Sequence, residues 1–247
     1  MARKRALRIK NRCSRRIRVA LQNRRYGDTD LSDIIERSGQ GDLDAIHIDP
    51  GSILECAGEH DVDTVRPLTA DLLGYHNWLV RADAVELVGM FHMHEFLGEV
   101  KARLHDSNPL VREYALGACY DLLGKRALPL LKEASKDRTV SYRVVALVLR
   151  YIETRDEAIL PELRRILTMK RCRFASRYAA LRTFDVYVDV GLYPEIIHLF
   201  EEVLSRLPEA PRKYGLDKDI PARLRRWKRS AREHRRKPKG KRTASLR

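Results

Sequence analysis

Apolar positions along this chain fall in blocks separated by short polar runs, and the blocks share one entry. Arg81-x-x-Ala84, Arg112-x-x-Ala115, Arg143-x-x-Ala146 and Arg177-x-x-Ala180 lie 31, 31 and 34 residues apart. Each opens an apolar stretch: AVELVGM, ALGACYDLL, ALVLRYI and ALRTFDVYV. A second series lies between them. Leu97, Leu128 and Leu160 are followed three residues later by Val100, Leu131 and Leu163, and Ile196 with Leu199 continues the pattern. A spacing of three puts both apolar residues on one helical face. Each period therefore predicts helix, turn, helix. The turns recur as well, since His105–Pro109 and Ser135–Thr139 occupy matching places and carry residue types suited to turns and N-caps. Asp106 precedes Arg112 by six residues, as Asp137 precedes Arg143.

Carried backwards, the same phase puts Ile53 at the alanine position and Leu73 on a second helix, so residues 48–76 read as a diverged first repeat, with Pro50 at a helix start. Residues 30–37 predict a short helix and 39–42 a loop. Towards the other end Pro208, Pro211, Gly215 and Pro221 predict a linker, followed by a basic helix and then a disordered tail from Lys237. The expected organisation is a basic segment over 1–25, a helix and loop over 26–47, a repeat domain over 48–207, and a linker with a basic tail over 208–247.

A two-helix repeat cannot bury its apolar side alone, so neighbours must stack, and small residues let helices approach closely. The repeated alanine is read as that spacer. The repeated arginine is read as a ladder element, satisfying carboxylates or helix-terminal carbonyls on an adjoining repeat. The combination Asp106-x5-Arg112-x-x-Ala115 and Asp137-x5-Arg143-x-x-Ala146, with NPLVREYALGACYDLLG as the clearest single stretch, resembles HEAT repeats in the short form associated with phycobilisome lyases. The resemblance covers residues 48–207. It implies an all-α fold, a right-handed α-α superhelix of about four to five helical hairpins. On function it implies little, since the family includes adaptors, lyases and HEAT-like DNA glycosylases for alkylated bases. The signatures of tetratricopeptide and ankyrin repeats are absent from the sequence.

Charge changes the picture of the two ends. Residues 1–25 hold 11 Lys/Arg and no acid, while residues 212–247 hold 16 Lys/Arg against Asp217, Asp219 and Glu233. The whole chain carries +15 and the two ends +24, which leaves residues 26–211 at −9. Such ends are suited to a polyanion, nucleic acid above all, with salt-sensitive affinity. The alternative is that they serve solubility or fold back on the acidic body. No apolar run approaches the roughly 18 residues of a membrane span. The N-terminal segment lacks the apolar stretch of a secretory signal, although an Arg-rich, acid-poor start also fits an organellar transit peptide. The expectation is a cytoplasmic protein, or a nuclear one in a eukaryote. Cys13, Cys56, Cys119 and Cys172 follow neither a disulfide framework nor a zinc pattern, and read as reduced, mostly packed thiols.

Candidate chemistry is concentrated in the cations. Lys101 after Val100, Lys132 after Leu131 and Arg164 after Leu163 repeat at equivalent positions of three second helices, with Arg103, Lys136 and Arg165 nearby. They form a candidate track for phosphates, or a solvated face balanced by Glu95, Glu99, Glu133 and Glu162. Arg225, Arg226, Trp227, Lys228 and Arg229 mix cations with an aromatic that can stack on a base. A glycosylase reading needs aromatics around one carboxylate, and only Trp78 with Asp83, assisted by Tyr75, Tyr114 or Tyr142, offers that. The motif of the known HEAT-like glycosylases does not map onto these residues one by one. His92-Met93-His94-Glu95 and the acidic, His-containing run 59–63 hold metal-ligand types without a third ligand at a useful spacing. No Gly-rich phosphate loop and no nucleophile motif occurs, so no catalytic residue, metal or cofactor is expected. The expected function is a non-enzymatic scaffold with a protein partner and a nucleic-acid or other polyanion contact. The alternatives are base excision and a pure protein-interaction or assembly role.

Overall fold

In the computed structural model, which describes residues 66, 69–70, 72–169, 172, 174–206 and 216–236, every regular element is helical. Nine α-helices are delimited among the described residues: α1 (Trp78–Phe91), α2 (Leu97–Ala102), α3 (Pro109–Leu123), α4 (Leu128–Ala134), α5 (Val140–Thr154), α6 (Leu160–Thr168), α7 (Phe174–Tyr187), α8 (Pro194–Ser205) and α9 (Leu216–Arg236). None is long and apolar enough to cross a membrane. A 3₁₀ turn joins each first helix to its second helix in four places, at His94–Phe96, Gly124–Ala127, Glu157–Ile159 and Val190–Leu192, and a further one, Arg103–His105, follows α2 before α3. The expected alternation of first and second helices is therefore present. The basic segment 1–25, the helix and loop expected over 30–42, most of the diverged first repeat, the run 59–63 and the tail after 236 lie outside the described residues.

The entry to each first helix explains the Asp-x5-Arg motif. Asn77 and Asn108 cap α1 and α3, their side chains accepting from the Leu79 and Leu110 N–H groups at 2.9 Å. Pro109 follows at a position where the helix needs no N–H donor. The Asp106 carboxylate accepts from the Asn108 N–H at 2.9 Å, and Asp137 accepts from Thr139 at 2.6 Å, so each aspartate folds its own turn. The arginine six residues on then donates to the carbonyl of that same aspartate, Arg112 to Asp106 at 2.8 Å and Arg143 to Asp137 at 3.1 Å. Arg81 makes the equivalent bonds to the Tyr75 and His76 carbonyls, and Arg177 to those of Leu167, Met169 and Cys172. This corrects the ladder reading in one respect. For Arg81, Arg112 and Arg143 the carbonyls belong to the turn that enters their own helix, because a guanidinium one turn into a helix reaches back over that chain, whereas Arg177 also meets the Leu167 carbonyl in the last turn of α6, a helix-terminal carbonyl of the preceding period as expected. One carboxylate bond does run between periods. Arg81 grips Asp106 with two bonds of 2.8 and 2.9 Å, the two side chains being 11% and 2% exposed. Burial opposes the Asp106 charge, but Arg81, the Asn108 N–H and Arg103 outweigh it and hold the carboxyl below its usual range.

Three of the four first helices also end alike. His92 after α1, Gly124 after α3 and Arg155 after α5 all have positive φ, at 53°, 55° and 57°. A left-handed residue there turns the chain out of the helix while its N–H meets a carbonyl of the last turn.

The chain divides into two compact units, one ending at Glu133 and the other beginning at Ala134. In the first, α1 packs on α3 around Val80, Ala84, Leu87, Val88, Met93, Val100 and Ala115. A Cβ on Gly89 would come within 2.9 Å of the Ala118 Cα, so the two helices approach at the limit that glycine and alanine permit. In the second unit α5 packs on α7 and α6 on α8, over a core that includes Leu147, Leu163, Leu181, Phe184, Ile196 and Phe200. All four alanines of the repeated signature are fully buried, as expected of spacers. The tail reading needs correction at Pro221. It lies inside α9 and not in a linker. A proline there forgoes one backbone hydrogen bond, and burial of Ile220, Leu224, Trp227 and Ala231 along the same helix offsets that loss.

Candidate nucleic-acid interface

Helix α9 contains the sequence Arg-Leu-Arg-Arg-Trp-Lys-Arg from residue 223, and its residues sort cleanly by face. Ile220, Leu224, Trp227 and Ala231, spaced by four, three and four, form a buried stripe. It packs on α7, α8 and the Val190–Leu192 turn. Trp227 is 3% exposed, with its ring edge-on to Phe200 at 5.4 Å between centroids. Its indole N–H donates to Asp185 at 2.8 Å. Trp227 is thus a core residue of the second unit, and its ring is not presented to a base. The adjoining charges hide this role along the sequence; its signal is the helical spacing of Trp227 with Leu224 and Ala231.

Flanking cations tie the helix down. Arg223 and Arg226 both pair with Asp185, and Lys228 meets Glu201 at 2.6 Å. The Lys228 contact, with burial opposing and His198 assisting, holds the Glu201 carboxyl below its usual range. Asp189 accepts from the Ser230 hydroxyl at 2.8 Å and the Gly191 N–H at 3.1 Å, and lies 2.8 Å from the His234 ring nitrogen. Burial raises the Asp189 pKa, but these partners lower it further, leaving it below the usual carboxylate range. Gly191 permits the close seat. A Cβ there would lie 2.5 Å from the Ser230 Oγ and 2.7 Å from the Ala231 backbone nitrogen.

The remaining cations of this helix point away. Arg225, Arg229 and Arg232 are exposed, at relative positions i, i+4 and i+7 on one face, and none has an ion pair or hydrogen bond among the described residues. Glu233, also exposed, flanks them. Part of the basic end therefore folds back on acidic residues of the second unit, while a second part stays open.

The other predicted cations divide similarly. Lys101, Lys132 and Arg164 are exposed on α2, α4 and α6, each next to a fully buried Val100, Leu131 or Leu163. Arg164 is engaged with Glu202 at 3.1 Å. Arg165 and Lys136 are exposed. Arg103 is a correction: it is half-buried and lies 3.5 Å from Asp106, so it serves the Arg81–Asp106 hub and is no open phosphate ligand. Lys101, Arg103 and Lys132 belong to the first unit, Lys136, Arg164 and Arg165 to the second.

The candidate base-excision pair is not brought together. Asp83 is 1% exposed and Trp78 is 37% exposed, and five residues on one helix place them about 140° apart around its axis. Tyr75 is buried under His76, Tyr114 is half-buried in the first unit, and Tyr142 is buried in the second. His92 and His94 stand 6.4 Å apart between ring centroids, Glu95 is paired with Arg66, and no metal-holding group of three is found among the described residues. Cys119 is buried, which pushes its thiol up to about 11 and away from the reactive thiolate.

Fold and site together define an all-α protein built of repeated helix, 3₁₀ turn, helix elements, with one amphipathic basic helix docked on its second unit. The chain matches no family model, no curated protein and no solved structure.

Proposed function

We propose that this chain is a non-enzymatic, HEAT-like helical scaffold that contacts nucleic acid or a similar polyanion through the outer face of α9 and engages a protein partner through its helical repeats. The HEAT-like assignment is supported inside each unit by the packing of successive equivalent helices, α1 on α3, α5 on α7 and α6 on α8, and by the shared arginine clasp at their entries. The polyanion reading is carried by one observation: Arg225, Arg229 and Arg232 are held in a row, exposed and without partners among the described residues, on a helix whose other described cations are paired. Maintaining three like charges side by side without an ion pair is unfavourable in the free protein and is relieved by a phosphate surface. Asp83, buried and turned from Trp78, gives base excision no geometric support.

Fluorescence anisotropy of labelled nucleic acid with the full chain, titrated at several salt concentrations, tests this reading. Binding that weakens steeply with salt is expected. Absence of salt-dependent binding to DNA, RNA and heparin alike would remove the polyanion contact and leave the protein-interaction role.

A further inference from the structure

Resting on that reading, we infer that the partner of the α9 face is the backbone of a double helix, bound without regard to sequence, and not a single strand. The inference follows from which side chains the face offers. Single-strand binding without sequence preference depends on aromatic rings on which successive bases stack. The only Phe, Tyr or Trp in α9 is Trp227, and it is spent inside the core against Phe200 and Asp185. Residues 216–236 include no Asn or Gln, the side chains that pair bidentately with adenine in the major groove. What the face holds is a row of guanidinium groups, which bind phosphate oxygens in bidentate fashion; the same groups can pair with guanine, so a scrambled duplex bound much more weakly than the original would overturn the sequence-independent part of the inference.

Rigidity then separates duplex from single strand. Arg225 to Arg232 spans about 10 Å along the helix axis. The row is fixed in direction by the buried stripe of Ile220, Leu224, Trp227 and Ala231 and by the ion pairs to Asp185 and Glu201. A duplex presents equally fixed phosphates at one charge per about 1.7 Å of its axis, so only the arginine side chains must be ordered and not the nucleic-acid backbone. A single strand would have to be straightened along the row, an entropy cost that stacking repays elsewhere but that this face cannot repay. DNA and RNA duplexes share the phosphate chemistry, and the experiment treats them as separate arms.

The test uses the full chain and a triple variant, Arg225→Gln with Arg229→Gln and Arg232→Gln. All three positions are exposed and without partners among the described residues, so the denaturation midpoint should not move. Anisotropy is measured with a short DNA duplex, its scrambled counterpart, an RNA duplex and a mixed-sequence single strand, each across a salt series. At one salt concentration, at least one duplex should bind about tenfold or more tighter than the single strand, and the scrambled duplex should fall within a few-fold of the original. The triple variant should flatten the slope of log K against log salt for the duplex by about 2.7, that is about 0.9 for each lost phosphate contact. A single strand bound as tightly as both duplexes overturns the duplex inference and leaves the polyanion reading intact. So does duplex binding whose salt slope is unchanged in the triple variant, since the contact then lies elsewhere on the chain. No salt-dependent binding by any arm overturns the underlying reading itself.

Discussion

Replacing Trp227 with alanine distinguishes a nucleic-acid-stacking tryptophan from a structural one. The ring is 3% exposed, so its removal opens a cavity between α9, Phe200 and the second-unit core, and truncations of this kind cost about 3–5 kcal/mol. That range already contains the edge-to-face contact with Phe200. The lost indole N–H bond to Asp185 adds less than it would elsewhere, because Asp185 keeps Arg223 and Arg226 and is not orphaned. With a urea m-value of about 2 kcal/mol/M, a loss of about 4 kcal/mol moves the midpoint down by about 2 M, read by far-UV circular dichroism. Trp227→Phe keeps a ring against Phe200 and should cost less than half as much. In a Trp78→Phe background, Trp227 is the sole tryptophan, and its emission should be blue-shifted and shielded from soluble quenchers until α9 detaches. The reasoning is refuted if Trp227→Ala unfolds at the parental urea concentration while losing nucleic-acid affinity, since the ring would then be an exposed stacking residue after all.

Other consequences follow from the clasps and seats of the fold. Asp106→Asn should destabilise the chain by about 3 kcal/mol, near the lower end for breaking a buried pair, because Arg81 retains the Tyr75 and His76 carbonyls; an Arg81→Ala, Asp106→Ala double-mutant cycle in urea measures the coupling directly. Since the Asp106 carboxyl is held low, its stabilisation is complete above the usual carboxylate pKa and is lost as pH falls through the depressed folded value. The urea midpoint of Asp106→Asn should therefore fall less than that of the parent chain between pH 5 and the acid limit, and an identical acid profile would contradict the assignment. Gly191→Ala places a Cβ against the Ala231 backbone nitrogen and should cost about 1–3 kcal/mol, with protease cleavage within α9 appearing first; a fully protected α9 would show that the seat is looser than described. His92→Gly relieves an L-residue of its left-handed conformation and should stabilise by up to about 1 kcal/mol, seen as a raised Tm, whereas a lowered Tm would mean that the His92 side chain matters more than its backbone.

Much of this molecule was legible along the chain because helical periodicity is a local property. The Arg-x-x-Ala spacing located four first helices, and the apolar pairs Leu97/Val100, Leu128/Leu131 and Leu160/Leu163 located three second helices, each with its inner residue fully buried and the following cation exposed. The Asp-x5-Arg motif announced that the helix entries were built alike. Its geometry could not be read there, because whether a guanidinium reaches its own turn or the next period depends on the angle at which the chain enters the helix.

Tertiary structure decided the roles of residues that look alike in sequence. Arg223, Arg225, Arg226, Lys228 and Arg229 form one basic run, yet packing of Leu224 and Trp227 rotates three of these cations towards Asp185 and Glu201 and leaves Arg225 and Arg229 open. Arg103 and Lys101 are two residues apart, and only the position of Asp106 makes the first structural. Periodicity along the sequence thus determined an all-helical protein and the inner face of most of its helices. Which of the described charges are already paired, and which remain open, was settled by the packing of helices distant in sequence, since a charge is spent or available only through the partner that the fold brings to it.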